Sequence, residues 1–231
     1  MKTAVVVMSR VPRAGHTKTR LMTKLSGEDC AAFHRACLSD IGQAIIDSGL
    51  PGYIYYTGDY TGNGFQFLND DYSKHFKICP QIGNNLGERL YNAGLEIIDG
   101  FDAVLFVGSD LPDLSPKLLL SAVEKLRNHD VVIGPAQDGG YYLLGMKQII
   151  KDVFLDIPWG TRQVLTSTVR KLECNELSYA LLGTRSDIDT WADMVGFYMQ
   201  GQGAGNDYYH RMAAYKFVEK MVEKYITGEG G

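Results

Sequence analysis

The chain has 231 residues, of which 45% are hydrophobic, and a formal net charge of -4 at pH 7. This length suits one α/β domain with a substantial core. The acidic balance argues against nucleic acid as a partner, because nucleic-acid binders draw their affinity from a broad basic surface.

The sequence contains no apolar run long enough to span a bilayer, and no cleavage signal follows the short run near its start. We therefore expect no membrane span and a cytoplasmic location. The four cysteines, Cys30, Cys37, Cys79 and Cys174, form neither a C-x-x-C pair nor a metal-ligand spacing. This pattern predicts buried free thiols in a reducing compartment.

The first predicted element is a buried strand over residues 4–8 that runs into a basic loop. The loop carries Arg10, Arg13, Lys18 and Arg20 around a lone Gly15. Open α/β sheets bind their ligands at the carboxyl ends of parallel strands. The loop therefore predicts a site for an anion such as a phosphate or diphosphate, and a solvated basic turn is the alternative interpretation.

This loop matches neither of two well-known phosphate-binding motifs. Lys18-Thr19 could end a Walker A motif, but Pro12 and Thr17 stand where that motif needs glycine. A dinucleotide-binding turn needs three glycines, and Gly15 is alone. If the loop binds phosphate, it does so largely with side chains.

Helices and strands alternate through the middle of the chain. Ser26 and Asp29 have the spacing of a capping box and predict a helix that ends before Gly49. Strands are predicted over 53–57 and 76–79, separated by a polar, turn-rich segment over 58–72, and a helix over 86–98 follows. Between the second of these strands and this helix, Gln81 and Gly83 could contact a nucleobase or cap the helix, and Arg89 could reach a phosphate or pair with an acid.

The second half of the chain continues the alternation. It contains predicted strands over 102–107, 131–133, 141–146 and 179–182, and predicted helices that begin after Ser115, over 161–172, after Thr190 and over about 207–226. The connection 135–140 is too short for a parallel crossover, so the strand over 141–146 should be antiparallel. The fold class is therefore α/β: a three-layer α/β/α sandwich, mostly parallel with one antiparallel strand. We expect one domain, 1–231, with the last helix as an appendage.

Two acidic clusters follow predicted strands. Asp110 comes three residues after one strand, and Asp187 and Asp189 come after another. Carboxylates at neighbouring strand ends can converge on Mg²⁺, which typically takes one or two of them and completes its shell with phosphate and water. Asp110 with Asp189 is the predicted metal pair, whereas Asp113 and Asp193 are better explained by a turn and a helix cap.

The segment Gln137–Tyr142 contains Asp138-Gly139-Gly140. Asp-Gly and Gly-Gly are strong turn signals, so a tight turn explains the glycines. Glycines also permit close approach of a substrate, so Asp138 could act as a polar ligand or a general base. Both interpretations remain open at this stage.

Together these elements resemble the glycosyltransferase-A-like proteins usually described as nucleotide-diphospho-sugar transferases, some of them under arsenosugar biosynthesis. The resemblance covers the chain up to about residue 195. It rests on Pro12…Gly15…Lys18-Thr19-Arg20-Leu21, Gln81…Gly83…Leu86-Gly87-Glu88-Arg89, Gly108-Ser109-Asp110-Leu111-Pro112-Asp113-Leu114, Asp138-Gly139-Gly140-Tyr141-Tyr142-Leu143-Leu144-Gly145, Ile157-Pro158-Trp159 and Asp187-Ile188-Asp189-Thr190.

The resemblance implies that a nucleotide diphosphate and a divalent metal, Mg²⁺ or Mn²⁺, bind at the carboxyl edge of the sheet. It gives Asp110 the metal-binding role, puts Asp189 on the opposite side of the metal and brings the first loop to the diphosphate. The chain departs from the usual pattern at Arg10 (lysine), Ala14 (proline), Thr17 (valine-like), Gly160 (serine), and Trp191 and Ala192 (proline and glutamate). These departures bear on donor and acceptor specificity.

The resulting hypothesis is a metal-dependent glycosyltransferase that uses a nucleotide-diphospho-sugar donor and an unknown acceptor. Asp138 is the candidate catalytic base. The candidate donor-binding residues are Arg10, Arg13, Gly15, Lys18, Arg20, Gln81, Gly83 and Arg89. The alternatives are a nucleotidyltransferase that releases pyrophosphate and a non-catalytic nucleotide-binding subunit, for which the apolar stripe of the last helix could serve as a partner or homodimer face.

Overall fold

The computed structural model describes residues 1–59, 74–203 and 207–226. Its strands are β1 (Thr3–Arg10), β2 (Gly52–Thr57), β3 (Phe76–Pro80), β4 (Ala103–Val107), β5 (Val131–Pro135), β6 (Tyr141–Met146) and β7 (Tyr179–Leu181). They form a seven-stranded sheet in the order β3-β2-β1-β4-β6-β5-β7. All pairings are parallel except those of β6, which runs antiparallel to both β4 and β5. The predicted fold class is thereby confirmed, including its late antiparallel strand.

The helices are α1 (Gly27–Ser48), α2 (Leu86–Ile98), α3 (Pro116–Asn128), α4 (Val164–Cys174), α5 (Trp191–Gly201), α6 (Asp207–Arg211) and α7 (Ala213–Ile226). The helix start predicted at Ser26 is confirmed, because its side chain accepts the backbone N–H of Asp29. Thr190 and Asp193 form a reciprocal capping box at the start of α5, also as predicted. Short 3₁₀ turns lie at Thr19–Thr23 and Lys151–Phe154.

The sheet lies between two helical layers, each with its own apolar core. On one face, Leu38 and Ile41 of α1 pack with Leu119 of α3 against the strands. On the other face, Leu90 of α2 and Leu172 of α4 pack against alternate residues of the same strands. Because side chains alternate across a strand, β1 and β4 contribute to both cores, which explains their continuous apolar sequences.

The carboxyl-terminal helices pack on the outer side of α1. Phe33 of α1 is buried with Phe197 of α5 and with Tyr215 and Val218 of α7. The prediction of one helix over 207–226 is wrong, because the chain breaks at Met212 between α6 and α7. Asp40 of α1 accepts the backbone N–H groups of Ala213 and Ala214, at 2.8 and 2.7 Å, and so caps α7 from a distant part of the chain. The apolar stripe of α7 is therefore largely covered by its own chain.

Two further expectations need comment. Cys30, Cys37 and Cys79 are buried free thiols as predicted, but Cys174 is exposed at the end of α4, so that part of the prediction is wrong. Most of the turn-rich segment 58–72 lies outside the described residues. Throughout the three described ranges, every helix is too short or too polar to cross a membrane.

Candidate active site

The carboxyl ends of β1, β2, β3 and β4 open into a cleft of about 420 Å³, here called the main cleft. The first loop forms one side of it and Asp189 another. Of the eleven predicted site residues, seven line it: Arg10, Lys18, Arg20, Gln81, Arg89, Asp110 and Asp189. Arg13, Gly15, Gly83 and Asp138 lie outside its lining.

Lys18 is the charged centre of the main cleft. Its ammonium lies 2.6 Å from Asp110 Oδ1 and 3.5 Å from Asp189 Oδ1, and it donates to the Ile188 carbonyl at 2.5 Å. The side chain is only 2% exposed. Burial disfavours the ammonium, but the carboxylates of Asp110 and Asp189 outweigh that effect, so the pKa of Lys18 is raised. Lys18 thus ties the first loop to two acidic loops.

The two carboxylates remain open to the cleft, with side chains 43% and 39% exposed for Asp110 and Asp189. Burial works against ionisation of Asp110, but the Lys18 ammonium prevails and lowers its pKa. The pKa of Asp189 is raised, because desolvation and the Asp110 charge exceed the effect of Lys18. Each loop needs the other's charge, which explains why the sequence carries both signs at this edge.

Asp187 is the acidic residue that the sequence reasoning did not choose. Burial, followed by the charges of Asp110, Asp138 and Asp189, raises its pKa to about 7. The structure therefore brings four carboxylates into one electrostatic neighbourhood. The available signal was the position of Asp187 next to Asp189 in the loop after β7, because loops at the carboxyl ends of parallel strands come to the same edge of the sheet.

The donor set at Asp110 and Asp189 fits a hard divalent cation whose shell is completed by other ligands. Both side chains offer anionic oxygens, which Mg²⁺ and Mn²⁺ prefer. Within the described ranges no group of three or more acidic, histidine or cysteine side chains is placed to bind a metal by itself. A cation at this pair would thus need phosphate or water oxygens as well.

Beneath the main cleft, a buried histidine joins the first loop to β1. His34 is 2% exposed, and its two ring nitrogens contact the hydroxyls of Thr17 and Ser9. The Ser9 hydroxyl donates to the Arg10 carbonyl, so the ring donates from Nε2 to Ser9 and accepts at Nδ1 from Thr17. Burial lowers the pKa of His34 to about 4 and keeps the ring neutral. Thr17, where the resembling family has a valine-like residue, is thereby explained.

Guanidinium groups surround the open side of the main cleft. Arg10 donates to the His16 carbonyl at 3.3 Å and Arg89 donates to the Gly83 carbonyl at 3.0 Å, and neither pairs with a carboxylate of the described chain. Arg20 lies 3.4 Å from Asp189 and is 71% exposed. Arg13 instead pairs with Asp59 at 3.2 Å in a neighbouring cleft of about 310 Å³, which Arg10 and Arg89 also line.

The β3–α2 connection positions an amide and a tight turn. Gln81 donates from Nε2 to the carbonyls of Ser9, at 3.1 Å, and Tyr55, at 2.8 Å. Two carbonyl partners require a nitrogen there, so the amide oxygen remains available as an acceptor. Gly83 has a φ of +141°, and a Cβ there would lie 2.7 Å from the Glu88 side chain, so only glycine suits this turn.

Asp138 lies outside the main cleft, in the turn between β5 and β6. It is exposed, and its Oδ1 accepts the backbone N–H of Gly140 at 2.8 Å. The turn interpretation of this segment is thereby supported. The carboxylate still contributes to the pKa of Asp187, so it lies close to the acidic cluster and retains an oxygen for another partner.

A mostly parallel sheet between two helical layers is the fold class of the nucleotide-diphospho-sugar transferases, as the resemblance implied. A solved protein from Desulfovibrio desulfuricans G20, provisionally described as a nucleotide-diphospho-sugar transferase, superimposes with a TM-score of 0.86. It is 28% identical, over 97% of this chain and 98% of that one. The predicted resemblance and the predicted fold class are thus confirmed.

Residues 40–161, just over half of the chain, match the family described as "Uncharacterized protein conserved in bacteria (DUF2064)", and the chain belongs to that family. Two more distant structures share the fold. A 4-diphosphocytidyl-2C-methyl-D-erythritol synthase from Anaerococcus prevotii DSM 20548 has a TM-score of 0.56 at 12% identity, over 91% of this chain and 97% of that one. Rv0371c from Mycobacterium tuberculosis H37Rv, solved with manganese, has 0.51 at 13% identity, over 85% and 97%. None of the curated proteins matches the sequence.

Proposed function

We propose that this chain is a glycosyltransferase that binds a nucleotide-diphospho-sugar in the main cleft and transfers the sugar to an acceptor. The observation that carries the proposal is the separation of charge within that cleft. Asp110 and Asp189 are grouped around Lys18, whereas the guanidiniums of Arg10 and Arg89 have no carboxylate partner among the described residues. A metal–diphosphate ligand matches this arrangement, because its cation can bind the carboxylates and its extended anion can bind the guanidiniums.

In this proposal Asp110 and Asp189 bind Mg²⁺ or Mn²⁺, and the manganese in the related Rv0371c structure supports that choice. A bound cation would neutralise charge on the diphosphate. Arg10, Arg20 and Arg89 bind phosphate oxygens, and Arg13 extends the basic surface from the neighbouring cleft. Gln81 offers its amide oxygen to a nucleobase donor, while Gly15 and Gly83 shape the two loops.

Transfer breaks the bond between the anomeric carbon and the diphosphate oxygen, and its electron pair stays on the departing nucleoside diphosphate. The acceptor oxygen bonds to the anomeric carbon and loses its proton to the carboxylate of Asp138. The guanidiniums stabilise the developing negative charge, which is the usual electrostatic contribution at such sites. Lys18 orients the two metal-binding carboxylates rather than contacting solvent.

Calorimetry with UDP, GDP, CDP, ADP and dTDP, each with and without Mn²⁺, tests this proposal. We expect one of them to bind in a metal-dependent manner and Asp110→Asn to remove that dependence. A folded protein that binds none of the five with or without Mn²⁺ would rule the proposal out. A second assay, with the nucleotide sugar and an acceptor, tests sugar transfer, for which we expect free nucleoside diphosphate as the product.

Nucleotidyl transfer is the second candidate. It is supported by the fold shared with a cytidylyltransferase from Leptospira borgpetersenii, which has a TM-score of 0.52 at 11% identity. Pyrophosphate released from a nucleoside triphosphate and a phosphorylated acceptor would favour this reaction. Nucleotide binding without turnover over a broad acceptor panel would instead favour a non-catalytic binding subunit.

A further inference from the structure

A second cleft, of about 370 Å³, lies on the other side of the segment Asp187–Asp189. Ile188 is buried, donates its N–H to the Asp110 carbonyl at 3.0 Å and accepts from Lys18 through its own carbonyl. Asp189 therefore lines the main cleft, and Asp187 lines the second cleft. This short segment between β7 and α5 is the shared wall of both clefts.

The second cleft has a different charge from the main cleft. Its one arginine, Arg185, is already paired with Asp113 at 2.5 Å, and the Asp113 side chain is only 14% exposed. Asp193 is engaged in the capping box of α5. Among the described lining residues, this leaves the carboxylate of Asp187 without a cationic partner. A phosphate in the second cleft would meet the carboxyl groups of Asp187 and Asp193, and the described lining residues offer no unpaired cationic side chain to offset its charge.

The remaining lining suits an uncharged, hydroxyl-rich molecule. Gln137 contributes an amide, Asp187 contributes hydrogen-bond acceptors, and the half-buried ring of Tyr209 forms a flat apolar side against Phe197, with ring centroids 5.5 Å apart. Amides and carboxylates satisfy hydroxyl groups, and an aromatic ring packs against the C–H face of a sugar. A cleft with an apolar side and a few placed polar groups is the usual form of a small-molecule site.

We propose that the second cleft is the acceptor site and that the acceptor is an uncharged polyhydroxyl compound, such as a carbohydrate, rather than a phosphorylated one. This inference rests on the proposed function and narrows it. Two clefts of similar size meet at one wall, so a donor diphosphate in one and an acceptor in the other place their reacting ends near Asp187–Asp189. The same charge argument disfavours the phosphorylated acceptors of nucleotidyl transfer.

The test uses the whole chain and two glutamine side-chain amides as NMR reporters, Gln81 in the main cleft and Gln137 in the second. The probes are methyl glycosides of glucose, galactose, mannose and N-acetylglucosamine and the corresponding sugar 1-phosphates. Each is titrated with and without Mg²⁺ and the nucleoside diphosphate that calorimetry identifies. We expect at least one glycoside to shift the Gln137 amide and leave Gln81 unchanged, and the sugar phosphates to leave Gln137 unchanged.

Two variants sharpen the result. Gln137→Ala should weaken glycoside affinity about fivefold, the equivalent of one neutral hydrogen bond of ~1 kcal/mol. Asp187→Asn should allow sugar phosphates to bind by removing the unpaired charge. Sugar phosphates that bind the wild-type cleft more tightly than glycosides, or glycosides that never shift Gln137, overturn the inference. Nucleoside diphosphate shifts at Gln81 decide the proposed function separately, so the two failures are distinguishable.

Discussion

The main cleft and the second cleft lie on opposite sides of Asp187–Asp189 and come from different parts of the chain. The main cleft is formed by the amino-terminal half together with Asp189, and its Arg10 and Arg89 have no carboxylate partner within the described part of the chain. The second cleft is formed mostly by residues after 184, and its one arginine is paired. One wall therefore separates a cleft with unpaired arginines, which we propose to bind an anion, from a cleft whose arginine is paired.

The difference shows how one edge of a sheet can carry two clefts of different charge. The carboxyl ends of parallel strands collect loops regardless of their charge. In this chain, the Lys18 ammonium pairs with Asp110 and Asp189, whereas Asp187 has no ion-pair partner among the described residues, and burial raises its pKa to about 7. The following experiments test this asymmetry, beginning with the largest expected effect.

Lys18→Met should destabilise the folded chain, because it removes the buried cation that pairs with Asp110 and Asp189 at the wall shared by both clefts. Breaking a buried ion pair costs roughly 3–5 kcal/mol. Because both carboxylates are partly exposed to solvent, we expect a loss of about 2–3 kcal/mol in the free energy of unfolding, measured in urea without metal. Mg²⁺ at millimolar concentration should restore part of it.

Arg20→Met is the matched control for Lys18→Met, because it removes a cation from the same carboxylate at an exposed position. Its stability should change by less than ~0.5 kcal/mol. Equal losses in the two variants would mean that the ion pairs behind the wall contribute no more than a surface contact does.

Thr17→Val tests the hydrogen bond between Thr17 and the buried His34, which lies beneath the main cleft and not beneath the second. The variant leaves Nδ1 of the buried His34 without a partner, and an unpaired buried polar group costs about 1–3 kcal/mol. Thr17→Ser should retain most of the wild-type stability, and the double variant Thr17→Val with His34→Leu should recover part of the loss. If the double variant loses as much free energy of unfolding as Thr17→Val and His34→Leu lose separately when added together, the two side chains do not act as a pair.

Arg89→Met should lower the affinity for the bound nucleoside diphosphate about tenfold, which corresponds to ~1.4 kcal/mol. Binding of glycosides in the second cleft should stay unchanged. Arg127→Met is the control, because Arg127 is an exposed residue of α3 paired with Glu124 at 2.8 Å. Calorimetry at two salt concentrations gives the measurement, and an equal effect of both substitutions would remove Arg89 from the main cleft's anion site.

One residue at each cleft, His34 at the main cleft and Asp187 at the second, should make stability depend on pH, and the two dependences should have opposite signs. His34, with its pKa lowered to about 4 by burial, binds its proton less tightly in the folded chain than in the unfolded chain. Its contribution to stability is complete above pH 6.5 and is lost as the pH falls toward 4. Asp187, with its pKa raised to about 7 by burial and the neighbouring carboxylates, binds its proton more tightly when folded, so its contribution falls as the pH rises toward 7.

Each effect should be roughly 1 kcal/mol or less between pH 6 and 7. Urea unfolding of Asp187→Asn should show a stability that rises more steeply with pH than that of the wild type. The double variant at Thr17 and His34 should show a shallower rise. If a variant's free energy of unfolding changes with pH as steeply as that of the wild type, the substituted residue does not contribute to the pH dependence of stability.

Much of the fold follows from local sequence. Ser26 and Thr190 mark helix starts because a hydroxyl followed by an acid three residues later satisfies the first backbone N–H groups. The strand β6 is antiparallel because six residues cannot make a parallel crossover. The break at Met212 escaped prediction, since the apolar period continues through it and the cap on α7 comes from Asp40, more than 170 residues away.

The sequence by itself determined which residues gather at the sheet edge, because strand ends and their loops are local features: the basic loop, Asp110 and the pair Asp187 and Asp189. Only the tertiary structure decided which of those charges meet. A lysine in a polar loop is expected at the surface. Lys18 is nevertheless buried, because two carboxylates from distant parts of the chain and the Ile188 carbonyl surround its ammonium. Pairing depends on the folded path of separate loops, and no local pattern encodes that path.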